Sequence, residues 1–530
     1  MTENGHKKVV IAGAGPAGLT AAYQLCKLGV KSVVLEKDSV VGGISRTVNH
    51  QGYLFDIGGH RFFTKVKAVE DLWKEILSED KFLRRTRLSR IYYNKKFFNY
   101  PLQAANALFG LGIFNSFLTF LSYTKAQIFP VKQEISFEDW ITNRFGKRLY
   151  HIFFKTYTEK VWGIPCEEIS AEWAAQRIKG LSLFSAVKNA LISSQPKNKA
   201  NIIKTLIDSF LYPEKGPGMM WETAAEIIQN KGSELKLQTS VEKILWQTDK
   251  VTGIEVDEKG DRKIIEGTDF ISSMPIQELI KKMSPSVPDA VKDAANILNY
   301  RDFLTVSLII DKPDLFSDNW IYIHDSEVKV GRIQNFKNWS EKMVPDSSKT
   351  CLGLEYFCFE GDNLWNTSDE DLIKLGIEEL AVLKLVDPQD VEGGAVVRMP
   401  KAYPVYDSKY LDAIAVIRKF LKPLGNLHLV GRNGMHKYNN QDHSMLTAML
   451  TVKNIMGANY DVWNVNTEQE YHEEGGTAEQ SEANEITAQA NLLNSTQPKV
   501  PELINVKVKA AAADIKTNDR NAEKAKGNGK

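Results

Sequence analysis

Apolar residues recur along this chain with two periods. The stretch KKVVIAGAGPAGLTAAYQLCKLGVKSVVLEK, residues 7–37, begins with a short apolar run and crosses a glycine turn. Apolar positions then follow at helical spacing before a second apolar run, a pattern that predicts strand, helix and strand. From about 66 to 215, Phe, Trp, Leu and Tyr recur at helical spacings and predict a mostly helical insert. GSELKLQTSVEKILWQTDKVTGIEVDEKGDRKIIEGTDFISSMP, residues 232–275, predicts several strands with a tight turn near Gly260. Residues 276–420 mix strands such as FLTVSLIID with helices such as DEDLIKLGIEELAVL. Leu427–Gly431 reads as another apolar strand, followed by a dozen mostly polar residues and a Met/Ala/Leu helix. Past Asn459 the chain turns polar and poor in aromatics, which predicts a largely disordered tail.

At 530 residues the chain exceeds one ordinary domain. Its 67 basic and 66 acidic residues leave a net charge of +1, so no global field points to nucleic acid or to an anionic membrane. Five basic residues cluster in KFLRRTRLSR, Lys81–Arg90, a run that reads as a solvated face. The four cysteines form no CxxC pair, as expected of a reducing compartment without structural zinc. The chain enters its first strand without a signal peptide, and the expected location is cytoplasmic. Leu102–Thr124 contains no charged residue. The expectation is one or two buried helices broken at Gly110 and Gly112, not a transmembrane span; a surface-embedded patch is the weaker alternative.

Gly13-x-Gly15-x-x-Gly18 lies between a predicted strand and a predicted helix, the context in which this pattern binds a dinucleotide. Its glycines permit a tight turn, close approach to a pyrophosphate, and helix–strand packing, and the helix N-terminus favours the anion. Glu36, ending the second strand, is placed for ribose hydroxyls and disfavours a 2′-phosphate. Gly42-Gly43 and Arg46 follow in VVGGISRT, then Gly58-Gly59-His60 in YLFDIGGHRFFTK. This layout resembles the FAD enzymes that include amine oxidases, protoporphyrinogen oxidases, phytoene desaturases and UDP-galactopyranose mutases. The implied cofactor is FAD, with NAD(P)H at most a transient reductant. The implied fold class is α/β: a Rossmann-type GxGxxG FAD-binding domain with a discontinuous mixed helical and β-sheet substrate domain. Residues 1–65, 216–275 and 421–459 would form the FAD-binding domain. Residues 66–215 would be the helical insert, 276–420 the mixed part of the substrate domain, and 460–530 the tail.

Further segments resemble UDP-galactopyranose mutase in particular: DIGGHRFF, TYTEKVWGIPCEEISAEWAAQRI, VGRIQNFKNW, AYPVYD and GRNGMHKYNNQDHS. The resemblance implies that His60 lies beside the flavin and that Tyr157 faces uracil. It places Trp162 in the nucleotide-sugar pocket, Arg177 and Arg332 on the substrate diphosphate from opposite sides, and Tyr403 nearby. Tyr438 and Asn440 would contact substrate phosphate. Arg432 would meet the FAD diphosphate or the flavin edge, and Asp442 would cap a helix aimed at the flavin. Gly431, Ser444 and Val241 complete the implied cofactor set with Gly13, Gly15, Gly18, Glu36, Gly43, Arg46 and Gly59. His60, Arg177 and Arg332 carry the implied catalysis, the interconversion of pyranose and furanose forms of UDP-galactose on reduced FAD without net oxidation. Its expected role is cell-surface polysaccharide biosynthesis, and its partner is a small-molecule nucleotide sugar; no metal or nucleic acid is expected, and oligomerisation is left open. The alternatives are an FAD-dependent oxidoreductase with an apolar substrate, and a non-catalytic binding protein.

Overall fold

The computed structural model describes residues 7–100, 104–171 and 209–466. Val9–Ala12 and Ser32–Leu35 are buried throughout, as strands covered on both faces must be. Between them, Gly13 turns the chain at φ +104° and Pro16 opens the helix Pro16–Lys27, where its missing N–H costs nothing. These two strands sit in a five-stranded parallel sheet ordered Leu427–Leu429, Asp269–Ser272, Val9–Ala12, Ser32–Leu35, Glu234–Lys236. Segments far apart in sequence thus share one Rossmann-type sheet. The glycine turn lies at the carboxyl end of its strands, where such sheets bind ligands. The helix Gln441–Ile455 packs beside Pro16–Lys27 and is buried on nearly all sides.

A seven-stranded sheet runs in the order Val391–Pro404, Tyr300–Ile310, Thr350–Cys358, Arg332–Asn335, Trp320–Ile323, Ser89–Tyr93, Lys96–Asn99. All eleven residues of Tyr300–Ile310 are buried between the strands Thr350–Cys358 and Val391–Pro404. The helix Asp369–Val382, capped by the Ser368 hydroxyl on the Asp371 N–H, covers this sheet. A third sheet, over 239–284, contains the turn at Gly260, where φ is +92° and the Asp257 carboxylate accepts the Gly260 N–H.

The region from 66 to 215 departs from a mostly helical reading. It contains the strands Phe82–Thr86, Ser89–Tyr93, Lys96–Asn99 and Ser209–Pro213, and the basic run lies on the first two of them. Its helices follow: Ala104–Leu111, Ile113–Ile128, Phe137–Phe145 with a Ser136/Asp139 capping box, and Thr156–Trp162. The uncharged stretch breaks at Gly112, where φ is +81°, but not at Gly110, which lies inside Ala104–Leu111. Its second helix is not buried, however. Among the described residues of Ile113–Ile128 only Thr119 and Ala126 are, because most side chains turned inward are small or polar. No helix among the described residues is long and apolar enough to cross a membrane.

Candidate active site

The first loop is shaped by what its glycines lack. A Cβ at Gly18 would stand 1.8 Å from the Gly13 carbonyl oxygen, and one at Gly13 would stand 2.2 Å from Ser273 Oγ. A Cβ on Gly43 would come to 3.4 Å from the Gly15 Cα, so the two loops face each other bare. The Gly42 N–H locks them together through the Ala14 carbonyl at 2.9 Å. Exposed backbone at a helix N-terminus, with no side chain in the way, fits a dinucleotide pyrophosphate. Glu36 braces the loop: its carboxylate accepts the Ala14 N–H at 2.8 Å and the Asp38 N–H at 3.0 Å. Arg46 is ion-paired with Asp38. Burial would raise the Asp38 pKa, but Arg46 and Ser39 hold it below the usual carboxylate range. Val241 is half-buried two residues after Thr239, whose N–H donates to the Glu36 carbonyl.

Gly58 adopts φ +84°, and a Cβ on Gly59 would lie 3.1 Å from Gln334 Nε2 and 3.4 Å from the Trp339 ring. His60 is half-buried and bonds through Nε2 to the Ile57 carbonyl at 2.9 Å. Burial lowers its pKa to about 4, outweighing that carbonyl, while Arg432 and Arg332 disfavour the cation further. His60 is therefore neutral near pH 7.

Beside this loop stands a wall of arginines and aromatic rings. Arg332 Nε donates to Glu355 at 2.5 Å and Nη2 to the Tyr403 hydroxyl at 3.2 Å. Gln334 Nε2 donates to the other Glu355 oxygen at 2.7 Å. Burial works against the Arg332 cation, yet the wholly buried Glu355 outweighs it. Tyr403 stacks on Tyr438 with centroids 5.5 Å apart, and Trp162 lies 6.3 and 6.2 Å from the two rings. The Arg432 guanidinium sits 5.4 and 5.0 Å from the same pair. Tyr157 stacks on His324 at 4.7 Å and meets Tyr322 edge-on at 5.6 Å. Its helix is anchored by Lys160, which donates to the carbonyls of Ile323, Asp325 and Val330. Arg177 lies outside the described residues.

The polar turn after Leu429 folds largely on itself. Arg432 Nε donates to the Asn439 carbonyl at 2.9 Å and Nη1 to the Ala402 carbonyl at 3.0 Å. Asn439 Nδ2 donates to the Gly431 carbonyl, and the Tyr438 N–H to the Tyr406 hydroxyl. Gly431 takes φ +80°, and a Cβ there would stand 3.1 Å from the Ala17 Cβ. The following helix begins at Gln441, so Asn440 takes the cap position and Asp442, expected as the cap, lies in the first turn. The Asn440 N–H donates to His443 Nδ1 at 3.2 Å, while Asp442 and Ser444 are buried. Lys437 donates to the carbonyls of Trp463 and Val465, and Asn466 to that of Tyr438. Residues 460–466, assigned by composition to the tail, are thus docked on the site.

Several contributors were not anticipated from the sequence: Glu355, Gln334, His324 and Arg87. Within the basic run, Arg85 binds the Trp339 carbonyl and Arg90 forks onto Asp318. Arg87 turns inward instead, over the rings of Tyr100 at 5.0 Å and Trp320 at 5.6 Å, with Nε and Nη2 buried and unpartnered. Tyr100 in turn lies 4.8 Å from Tyr322. Arg87 lies in the short link between the two strands that carry the run. His324 Nδ1 and Gln334 Oε1 are also buried without partners. Such orphaned groups destabilise a fold unless a polar ligand meets them.

The sequence profile described as flavin-containing amine oxidoreductase matches residues 16–440. The 1-hydroxycarotenoid 3,4-desaturase of Flavobacterium sp. (strain P99-3) is 20% identical over 86% of this chain and 100% of its own length. The 15-cis-phytoene desaturase of Synechococcus elongatus is 24% identical over 51% of this chain and 58% of its own length. In architecture the chain is similar to a crystal structure of reduced UDP-galactopyranose mutase. The TM-score is 0.75 at 21% identity, covering 87% of this chain and 98% of that one.

Proposed function

The chain belongs to the family of flavin-containing amine oxidoreductases, and from that premise we propose that it is an FAD-dependent mutase interconverting the pyranose and furanose forms of UDP-galactose. Gly13, Gly15, Gly18, Gly43 and Gly431 would leave room for the FAD pyrophosphate, with Glu36 towards its ribose and Gly59 and His60 towards its ring. Bound and reduced, FAD supplies an electron-rich ring beside the anomeric carbon of the sugar. Arg332, oriented by Glu355, would grip the substrate diphosphate together with Arg177, and Tyr157 and Trp162 would offer flat faces to uracil and sugar. Neutral His60, oriented by the Ile57 carbonyl, would add no charge beside the flavin. A cytoplasmic location and a role in cell-surface polysaccharide synthesis belong to the same reading, as does a transient NAD(P)H reductant.

The observation that carries this reading is Arg87. Its two buried, unpartnered guanidinium nitrogens lie on an aromatic path leading through Tyr322 to Tyr157. A phosphate-bearing ligand would satisfy such donors, whereas a hydrocarbon would leave them desolvated and unpaired. The rival reading, an oxidoreductase with an apolar substrate, is favoured by the carotenoid desaturases among the relatives. Anaerobic incubation of the dithionite-reduced protein with UDP-galactofuranose, followed by nucleotide chromatography, separates the two. UDP-galactopyranose should appear with reduced flavin only. No conversion, with flavin that is rapidly reoxidised by air, would decide for the oxidoreductase.

A further inference from the structure

The helix Ile113–Ile128 is inside out. Ile113, Phe114, Phe117, Phe120, Leu121 and Ile128 share its solvent side and are between 47% and 93% exposed. Phe129 extends the apolar surface at 75% exposure. Asn115, Thr119, Ser122 and Ala126 occupy the inward side with one large apolar residue, Leu118, nearly the reverse of what a water-facing helix shows. A continuous apolar surface of this kind marks an interaction site.

Directly behind the helix lies a cavity of about 590 Å³, lined by the apolar side chains of Phe98, Leu118 and Ile152 and by the basic ones of Lys96, Lys147 and Arg148. No carboxylate lines it among the described residues. Arg148 donates from Nη2 to Asn115 Oδ1 at 2.6 Å, while its Nε is buried without a partner. Lys147 reaches Glu138 at 3.2 Å outside the cavity, and Lys96 rests on the Gly110 carbonyl.

We propose that this face docks on the surface of a lipid bilayer, with its apolar side in the acyl boundary and the phosphate of an anionic lipid in the basic cavity. Charge decides the occupant. A second copy seated on the apolar face brings no anion to the cavity behind it, whereas anionic headgroups neutralise that cavity and pair Arg148 Nε. At 16 residues the helix lies along the interface and does not span the membrane.

Flotation of the full chain, purified without detergent, tests this with vesicles of phosphatidylcholine and phosphatidylglycerol in equal parts, and with phosphatidylcholine alone. The protein should float with the mixed vesicles, and Phe117→Glu/Phe120→Glu should lower the floated fraction about tenfold while keeping its flavin absorbance. Lys147→Gln/Arg148→Gln should abolish the preference for anionic over neutral vesicles. A wild-type protein that stays down, or a glutamate variant that floats as well as wild type, overturns the proposal. So does a lipid-free dimer that the glutamates split without any flotation, which would assign the face to a second copy. A non-floating protein whose melting temperature the glutamates lower would assign it to the chain's own residues 172–208. None of these readouts requires turnover, so they stand apart from the mutase assay.

Discussion

A methyl group on residue 18 would sit 1.8 Å from the Gly13 carbonyl oxygen, closer than atoms can approach. Gly18→Ala must therefore push helix and loop apart, at a cost of about 3 kcal/mol, and spoil the flavin cradle. The expected product is a colourless protein of lowered melting temperature; a yellow preparation with unchanged melting would refute the cradle. Glu355 is wholly buried between Arg332 and Gln334. Glu355→Gln removes the counter-charge but keeps the shape, and should lower stability by about 3 kcal/mol in denaturant titration and weaken UDP binding. Unchanged affinity would show that the pair does not orient Arg332 for a ligand. Three histidines and one buried carboxyl set a pH dependence. Burial, aided by Lys160, lowers His324 to about 3, and burial lowers His436 to about 4 against the Val405 carbonyl, as it lowers His60. All three release protons more readily folded than unfolded, so each costs stability as pH falls from 6.5 towards 4, on the order of 2 kcal/mol apiece. Burial raises Asp56 to about 7 against its bonds from Tyr212 and Thr47, so this carboxyl opposes them in the same window. Thermal melts between pH 7 and 4.5 should fall less steeply for His436→Phe than for wild type.

The helix Thr156–Trp162 carries Tyr157 and Trp162 into the site and ends at Gly163, where φ is +69°. Arg301 caps that end by donating to the carbonyls of Lys160 and Val161, and a Cβ on residue 163 would stand 2.5 Å from its guanidinium. Gly163→Ala should displace the cap, cost about 2–3 kcal/mol and loosen nucleotide binding; full UDP affinity would place the uracil elsewhere. The glycine loop could be read from the sequence because its determinants lie within a few residues and its flanking runs are unmistakably apolar. The strand Tyr300–Ile310 and the helix Asp369–Val382 were equally plain. Glu355 was not, because its partner is fixed by the register that sets Arg332 opposite it across two strands. Neither was the outward face of Ile113–Ile128: periodicity shows which residues share a side, and the usual inference that apolar sides face inward fails when the inward side is small and polar.

At the scale of the molecule, the polar turn is completed from beyond the helix Gln441–Ile455. Lys437, whose pKa burial lowers to about 8, donates to the Trp463 and Val465 carbonyls. A chain ended after Asn459 should melt lower than one ended after Asn466 and hold flavin more weakly, by about 1–3 kcal/mol for the acceptors lost. Equal melting temperatures would detach those residues from the site. The parallel sheet carries one more implication. Val9 pairs with Asp269, and Phe270 with Leu427, so the strand Val9–Ala12 waits for partners synthesised much later. Pairing over such separations is slow, and domains mature in the order in which their parts emerge. Capture of the cofactor is therefore a late event in biogenesis, after the apolar face of Ile113–Ile128 has already left the exit tunnel.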